Sequence, residues 1–201
     1  MLEVLSPAGS NDALVAAVQN GADAVYLGCG GFNARMNAKN FTPEQLRQAV
    51  SYCHVRGVKV YLTLNTLVLD RELKAAAAEI LEASRAGVDA ILVQDLGICQ
   101  LVRTIAPDVA IHASTQMAVH NLDGVLRAAE MGISRVVLAR ELSYDQIAYI
   151  CKNSPIEVEV FVHGALCMCY SGQCYLSAMI GRRSGNRGQC AQPCRLNYGY
   201  D

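Results

Sequence analysis

Apolar and polar positions along the first 160 residues follow one recurring pattern. Helical stretches such as NDALVAAVQN at 11–20 and LKAAAAEILEASRA at 73–86 are each followed by a glycine and then by a short, continuous apolar run. Glycine fits the C-terminal turn of a helix, where a positive φ is needed. Continuous β-branched runs fit strands that are buried on both faces of a parallel sheet. The pattern therefore predicts serial β-α units.

Seven such units are visible, which favours a TIM-type α/β barrel, with an open or seven-stranded arrangement as the alternative. The candidate strands lie at 2–9, 21–28, 58–65, 87–95, 109–116, 132–141 and 158–164. After Gly164 the periodicity stops and no eighth strand is visible.

We therefore divide the chain into a barrel domain at 1–164 and a Cys- and Arg-rich segment at 165–201. We expect this second segment to continue in a longer protein. Either a partner chain or self-association would then complete the barrel, because unfinished sheets expose strand edges.

Composition narrows the class of protein. The chain has 201 residues, of which 52% are hydrophobic, and its net charge is −1, as in an ordinary globular domain. The apolar runs are far shorter than the roughly 18 to 20 residues that cross a bilayer. Glu3 interrupts the stretch where a signal peptide would lie. We expect a cytoplasmic protein with no membrane partner.

Polar residues follow the predicted strands, at the end where α/β barrels carry their chemistry. Capping of the following helix explains any one of them equally well, but together they favour a binding pocket. As substrate-binding candidates we take Asn33, Arg35, Asn65, Gln94, Ser114 and Gln116, and as catalytic candidates Arg140, Glu141 and His163; Ser6, Pro7, Gly9 and Asp95 lie at equivalent places.

Nine cysteines are present, and five of them fall between Cys167 and Cys194. Without a sign of secretion, such a cluster indicates a metal or redox site rather than a disulfide scaffold. No CxxC pair occurs, and the spacing of the candidate ligands Cys167, Cys174, Cys190 and Cys194 is C-x6-C-x15-C-x3-C. Four thiolates suffice for a 4Fe-4S cluster or, alternatively, zinc. Structural cysteines without a metal are the remaining interpretation.

Charge is unevenly distributed as well. No acidic residue lies between Glu159 and Asp201, whereas four arginines do: Arg182, Arg183, Arg187 and Arg195. They would offset thiolate charge and could bind phosphate, which fits a tRNA or another RNA as partner.

Several motifs carry a resemblance to a known family. They are LEVLSPAG, GADAVYLG, FNARMNAKNF at 32–41, STQ at 114–116, EVFVHGALCMCYSGQCYLS at 159–177 and NRGQCAQPCR at 186–195. Across essentially its whole length, the chain resembles the collagenase-like peptidase family, peptidase family U32, whose members look longer than this chain.

The resemblance implies two different activities. The family name implies a collagen-degrading peptidase. Better-understood relatives are iron-sulfur proteins for oxygen-independent hydroxylation of the tRNA wobble uridine, with prephenate as a required metabolite, of a cytidine in large-subunit ribosomal RNA, and of the ubiquinone ring.

In those relatives cysteines matching Cys167, Cys174 and Cys190 bind a 4Fe-4S cluster, and the fourth ligand lies further downstream. Cys194 is then a substitute ligand or a neighbour, and Cys169 is extra to the pattern.

The residues favour hydroxylation over proteolysis. No GxSxG or HExxH motif occurs. A Cys167–His163 pair could act as a nucleophile and base, but a thiolate bound to iron is not free to attack a peptide. A carboxylate metabolite such as prephenate would suit Arg35 and Arg140, although both could instead form salt bridges with Asp95 or Glu141.

We therefore expect an iron-sulfur enzyme that hydroxylates RNA, with the tRNA wobble uridine as its substrate. A peptidase and a non-catalytic fragment are the alternatives.

Overall fold

A computed structural model describes residues 2–34, 36 and 39–199 of the chain, and strands and helices alternate through most of them. Seven parallel strands form one sheet. They are β1 (Leu5–Pro7), β2 (Ala24–Gly28), β3 (Lys59–Leu64), β4 (Ala90–Val93), β5 (Ala110–Ala113), β6 (Arg135–Val137) and β7 (Glu157–Glu159).

Within the described residues, six α-helices connect these strands, and a seventh follows β7. They are α1 (Asn11–Gln19), α2 (Pro43–His54), α3 (Leu73–Ala86), α4 (Leu96–Ile105), α5 (Leu122–Glu130), α6 (Tyr144–Asn153) and α7 (Leu176–Gly181). None of the helices in the described part of the chain is long and apolar enough to cross a membrane.

Local sequence sets most helix boundaries. Thr42 and Ser143 begin α2 and α6 with capping boxes, in which the side chain of the residue three positions later binds back to the cap. Asp95 accepts hydrogen bonds from the first turn of α4, so here the capping interpretation of a polar strand-end residue is correct. Gly87 ends α3 in the left-handed conformation, with a φ of +82°, and this conformation favours glycine.

The sheet is a curled half-barrel rather than a closed barrel. Its strands are ordered from β1 to β7, and each pairs only with its sequence neighbours, which leaves β1 and β7 at the two edges. The predicted α/β barrel class is confirmed in this open form. The seventh strand is shorter than predicted, because Val160, Phe161 and Val162 beyond it have no outer strand to cover them and are exposed.

The two faces of the sheet bury different residues. On β3 the alternate positions Val60, Leu62 and Leu64 pack against the helices in the main core. The intervening Tyr61 faces the concave side of the sheet, which we call the lumen, where it packs in a second cluster with Ala90, Leu92 and Val137. Alternation along a strand therefore separates the helix-covered core from the lumen.

Arg135 is the charged centre of the lumen, and only 8% of its side chain is exposed. It forms ion pairs with Glu3, which precedes β1, and with Glu157 and Glu159 on β7. Its guanidinium also lies 5.3 Å from the centroid of the Tyr61 ring. One side chain on β6 thus joins both edges of an open sheet.

The same network settles the charge of Glu3. Burial acts to raise the pKa of this carboxyl, but hydrogen bonds from Arg135, Lys59 and Tyr61 outweigh it and lower the pKa to about 2. Glu3 is therefore ionised at every physiological pH.

A substitution of Arg135 tests the importance of this network. Arg135→Met keeps the apolar stem but removes the cation that pairs with the partly buried carboxylates of Glu3 and Glu159, so we expect a loss of about 3 kcal/mol in the free energy of unfolding. Arg127→Met is the matched control, because Arg127 is 73% exposed and pairs with Glu130 on the surface; its loss should cost less than about 1 kcal/mol. Urea denaturation measures both, and equal effects would contradict the role given to Arg135.

Candidate functional site

The carboxyl ends of the strands open at one end of the half-barrel, and residues 165–199, here called the cysteine segment, pack across this mouth. Ser171 is the most deeply buried anchor, with 1% of its surface exposed. Its backbone N–H and its hydroxyl both donate to Oε1 of Glu141, at 2.9 and 3.2 Å. Nε of Arg140 donates to the Ser171 hydroxyl oxygen at 3.2 Å. The predicted catalytic pair Arg140 and Glu141 thus holds the cysteine segment.

Two glycines of the cysteine segment allow its backbone to contact the backbone of the half-barrel at the mouth. A Cβ on Gly172 would overlap the carbonyl oxygen of Gln116, and one on Gly188 would overlap that of Asn33. Both glycines also have positive φ, at +69° and +72°. Any other residue at these positions would lift the segment off the barrel.

Arg187 forms a further anchor, with a two-pronged contact to Glu72 at 2.6 and 2.9 Å. It also donates to the carbonyl of Leu67, whose own N–H donates to the carbonyl of Asn186. The hydrogen bond from Arg187 lowers the pKa of Glu72 to about 2. Arg187, one of the four arginines predicted to offset the charge of the thiolates, therefore anchors the cysteine segment to the half-barrel.

The candidate ligands Cys167, Cys174, Cys190 and Cys194 all lie on the cysteine segment as free thiols. Nη2 of Arg195, the residue after Cys194, donates to the carbonyl of Leu166, just before Cys167, at 2.6 Å. A Cβ added to Gly185 would come within 4.0 Å of both the Cβ of Cys190 and the carbonyl oxygen of Cys174. The stretches that carry the candidate ligands are therefore neighbours in pairs.

The side chains themselves do not converge. Among the described residues, no three His, Cys, Asp or Glu side chains are grouped so that they could hold a metal ion. The donor chemistry fits a thiolate-bound metal, with free thiols and no carboxylate on the segment. Binding would require these thiols to turn toward a common point.

One thiol contact was not foreseen from the sequence. The side chain of Cys174 lies beside that of Cys169, and burial together with this proximity raises the pKa of the Cys169 thiol. The spacing C-x4-C around Ser171-Gly172 was the available signal, because a serine-glycine pair favours a turn.

Beneath the cysteine segment, three of the predicted substrate-binding residues form one group. Nδ2 of Asn65 donates to the Ser114 hydroxyl at 3.0 Å, while its Oδ1 accepts from the Ala34 N–H at 2.9 Å. The Gln116 N–H donates to the same Ser114 hydroxyl at 3.3 Å. Gln94 is 8% exposed, and its Oε1 is buried without a hydrogen-bond partner within the described ranges. The structure therefore brings Asn65, Ser114 and Gln116 together.

The remaining candidates lie apart from this group. Asn33 is buried and donates to Asn40 and to the carbonyl of Gly30, so it organises its own loop. Arg35 falls outside the described residues. His163 is exposed on the stretch after β7, and no hydrogen bond joins it to Cys167 in the part of the chain that the structure describes.

Glu79 is a functional candidate that the sequence reasoning missed. It lies on α3 beneath the loop after β2, where the N–H of Gly31 hydrogen-bonds to it, but its Oε1 is buried without a partner among the residues described. Burial raises its pKa to about 8, despite the lowering effect of that hydrogen bond. Its place beside Ala76, Ile80 and Ala83, which are buried on α3, was a readable signal.

At the opposite end of the lumen lies a cavity of about 680 Å³, lined among others by Lys59, Tyr61, His112 and Arg135. Burial, followed by the charge of Arg135, lowers the pKa of His112 to about 3, so its ring is neutral. Because this cavity lies at the amino ends of the strands, away from the cysteine segment, we assign it to the stabilising Arg135 network.

Comparisons with known proteins agree with this arrangement. The model of "Peptidase family U32" matches residues 9–200. The "23S rRNA 5-hydroxycytidine C2501 synthase" of Escherichia coli (strain K12) is 45% identical over 199 residues, which cover 98% of this chain and 30% of that protein. The "Collagenase" of Porphyromonas gingivalis is 40% identical over 208 residues, with 98% and 50% coverage.

A "tRNA hydroxylation protein P" of Escherichia coli (strain K12) is 39% identical over 197 residues, with 98% coverage of this chain and 44% of its own. The chain thus spans half or less of the length of these curated relatives.

Solved structures share the fold. The U32 peptidase Mk0906 superposes with a TM-score of 0.67 at 15% identity, over 80% of this chain and 68% of its own. Phosphonopyruvate hydrolase gives a TM-score of 0.56 at 14% identity, over 79% and 66%. Identities this low show the architecture alone.

The close approach at Gly172 yields a prediction. Gly172→Ala should detach the cysteine segment without unfolding the half-barrel, because the new Cβ meets the Gln116 carbonyl. We expect trypsin to cleave after the exposed Arg182 and Arg183 at least severalfold faster, with little change in the melting temperature. Gly181→Ala is the control, since nothing lies within 4 Å of its added Cβ. Equal cleavage rates in the two variants would contradict the anchor.

Glu79 gives a prediction of pH dependence. Its folded pKa of about 8 lies above its ordinary value of 4.5, so its contribution to stability is fully present below pH 4.5 and is lost as the pH rises through 8. Compared with Glu79→Gln, the wild type should lose on the order of 3 kcal/mol of unfolding free energy between pH 5 and 9. Urea denaturation at several pH values measures this difference. If the unfolding free energies of the wild type and of Glu79→Gln change in parallel with pH, Glu79 is not a buried acid.

Proposed function

The chain belongs to peptidase family U32, and from that premise we propose that it is the mouth-forming domain of an iron-sulfur protein that hydroxylates RNA. The observation that carries this proposal is the anchoring of the cysteine segment over the carboxyl ends of the strands. In α/β barrels the reacting groups lie at this end. A segment fixed there by Ser171, Gly172 and Gly188 is suited to bring a cofactor to a substrate.

We infer that Cys167, Cys174, Cys190 and Cys194 would hold a 4Fe-4S cluster, with zinc as the alternative metal. Bound there, a cluster would supply one-electron chemistry at the mouth. The absence of acidic residues between Glu159 and Asp201 favours a negatively charged thiolate-metal group over a cation held by carboxylates. Alternatively, a residue from the rest of the whole protein would supply the fourth ligand in place of Cys194.

An RNA substrate is supported by the surface of the same segment. Arg182, Arg183 and Arg195 are exposed there, and so are Tyr170 and Tyr175. Arginines can neutralise phosphates, and tyrosine rings can stack on unpaired bases. One relative is named as a 5-hydroxycytidine synthase of 23S rRNA and another as a tRNA hydroxylation protein. The base in our proposal is therefore a pyrimidine, and we take the tRNA wobble uridine as the first substrate to test.

The mouth residues would bind the small groups of the reaction. Oε1 of Gln94 has no partner among the residues described, so it can accept a hydrogen bond from a base or a metabolite. Asn65 and Ser114, already joined to each other, form a polar wall beside it. Arg140 uses Nε to hold Ser171, and its terminal nitrogens are the candidate partners of a carboxylate such as that of prephenate.

A second candidate function, a peptidase, is favoured by the relative named collagenase. In that case Cys167 would act as the nucleophile and His163 as its base. Both side chains are exposed, which leaves them accessible to a peptide, but in the described structure no hydrogen bond activates the thiol. The hydroxylation proposal accounts for more of the cysteine segment, because a cofactor held over the mouth requires the contacts that anchor the segment there.

The proposal is tested in cells that lack the whole protein and are complemented with variants. Mass spectrometry of nucleosides from tRNA and rRNA should show that a hydroxylated pyrimidine disappears in the deletion, returns with the wild type and falls at least tenfold in Cys174→Ala. Cys151→Ala is the control, because Cys151 is exposed on α6, away from the mouth.

Two results would contradict the proposal. The first is a nucleoside profile unchanged by the deletion. The second is collagen-peptide cleavage by the purified whole protein that is lost in both Cys167→Ala and His163→Ala, which would support the peptidase.

A further inference from the structure

Cys169 and Cys174 flank a tight turn. The N–H of Gln173 donates to the carbonyl of Tyr170 at 3.2 Å, which closes a four-residue β-turn. Gly172, at the third position, has a φ of +69°, as a type II turn requires. The residues immediately before and after such a turn stand opposite each other. Cys169 and Cys174 occupy these two positions.

The two side chains are also neighbours. Cys174 lies close enough to act on the Cys169 thiol, and both thiols are free and half-buried. A β-turn brings the Cα atoms of its first and fourth residues within about 7 Å of each other, and a disulfide spans about 4.4–6.8 Å between Cα atoms. The two residues that flank the turn directly are therefore placed to come within reach of a disulfide.

The barrel holds the turn in place. Ser171 is clamped between Glu141 and Arg140, and the backbone of Gly172 lies directly on the carbonyl of Gln116. Because the centre of the turn is fixed, its two flanking thiols stay together.

We propose that Cys169 and Cys174 form a reversible disulfide, a redox modification site next to the mouth, with hydrogen peroxide as oxidant. One thiolate attacks the peroxide, the O–O bond breaks, and a sulfenic acid and one water result after protonation. The second thiol attacks that sulfur, the S–S bond forms, and a second water leaves. Two thiols lose two electrons and the peroxide gains them. A thiol reductant of the glutathione class reverses the step.

The consequence for the cofactor rests on the proposed function. If Cys174 is a cluster ligand, the disulfide withdraws it, and the oxidised metal-free protein cannot take up iron until it is reduced. Cys169, which the family pattern does not require, then acts as the partner that protects Cys174 from irreversible oxidation.

The disulfide is tested on the reduced, metal-free 201-residue chain treated with hydrogen peroxide. Intact mass should fall by about 2 Da, the two hydrogens lost in a disulfide. After alkylation and chymotryptic cleavage at Tyr170, two peptides carrying Cys169 and Cys174 should be linked in most molecules. The link should be absent in Cys169→Ser and unchanged in the control Cys151→Ser. A link from Cys174 to Cys167 or Cys190, or thiol oxidation without any link, would overturn the inference.

A second measurement separates this inference from the proposed function. Iron and sulfide are offered to reduced and to peroxide-treated whole protein, and bound iron is counted. At least fivefold less iron in the oxidised sample, restored by reduction, supports the consequence. Equal iron in both samples overturns the switch. A disulfide that forms in a protein that binds no iron in either state refutes the iron-sulfur proposal while the modification site stands.

Discussion

The ion-paired Arg135 in the lumen is the interaction on which the remaining structure depends. A sheet of seven parallel strands that does not close has two free edges, and backbone hydrogen bonds cannot join them. Arg135 on β6 reaches Glu3 before β1 and Glu157 on β7, so side chains maintain the curvature that a closed ladder would otherwise impose. Curvature matters for function, because it brings the carboxyl ends of β3, β4 and β5 to one mouth.

The mouth in turn gives the cysteine segment a fixed position. From residue 165 onward the chain has little regular structure, and its apolar side chains are largely exposed, so hydrophobic burial contributes little to holding it. Contacts at Ser171, at two glycines and at Arg187 replace that burial. Strand-end residues therefore serve two purposes: Arg140 and Glu141 anchor a loop, while Asn65, Gln94 and Ser114 remain beneath it as a polar surface.

Local sequence predicted the strands and helices well, because hydrophobic periodicity and caps such as Thr42 act over a few residues. The polar strand ends were predicted on the same basis, from the rule that parallel strands present their carboxyl ends together. Partners could not be predicted: Arg135 and Glu3 are 132 residues apart, and Arg140 and Ser171 are 31 apart. The end of β7 was also misjudged, since an apolar run becomes a strand only beside a neighbour.

We propose that the cysteine segment, fixed over the barrel mouth, binds iron through its thiolates. Anaerobic purification of the whole protein, followed by iron and acid-labile sulfide analysis with a visible spectrum, tests this. We expect about four irons and four sulfides per chain, lost when Cys174 is replaced by alanine and kept when Cys151 is replaced. An oxygen-free preparation without iron, or iron that persists without Cys174, would contradict it.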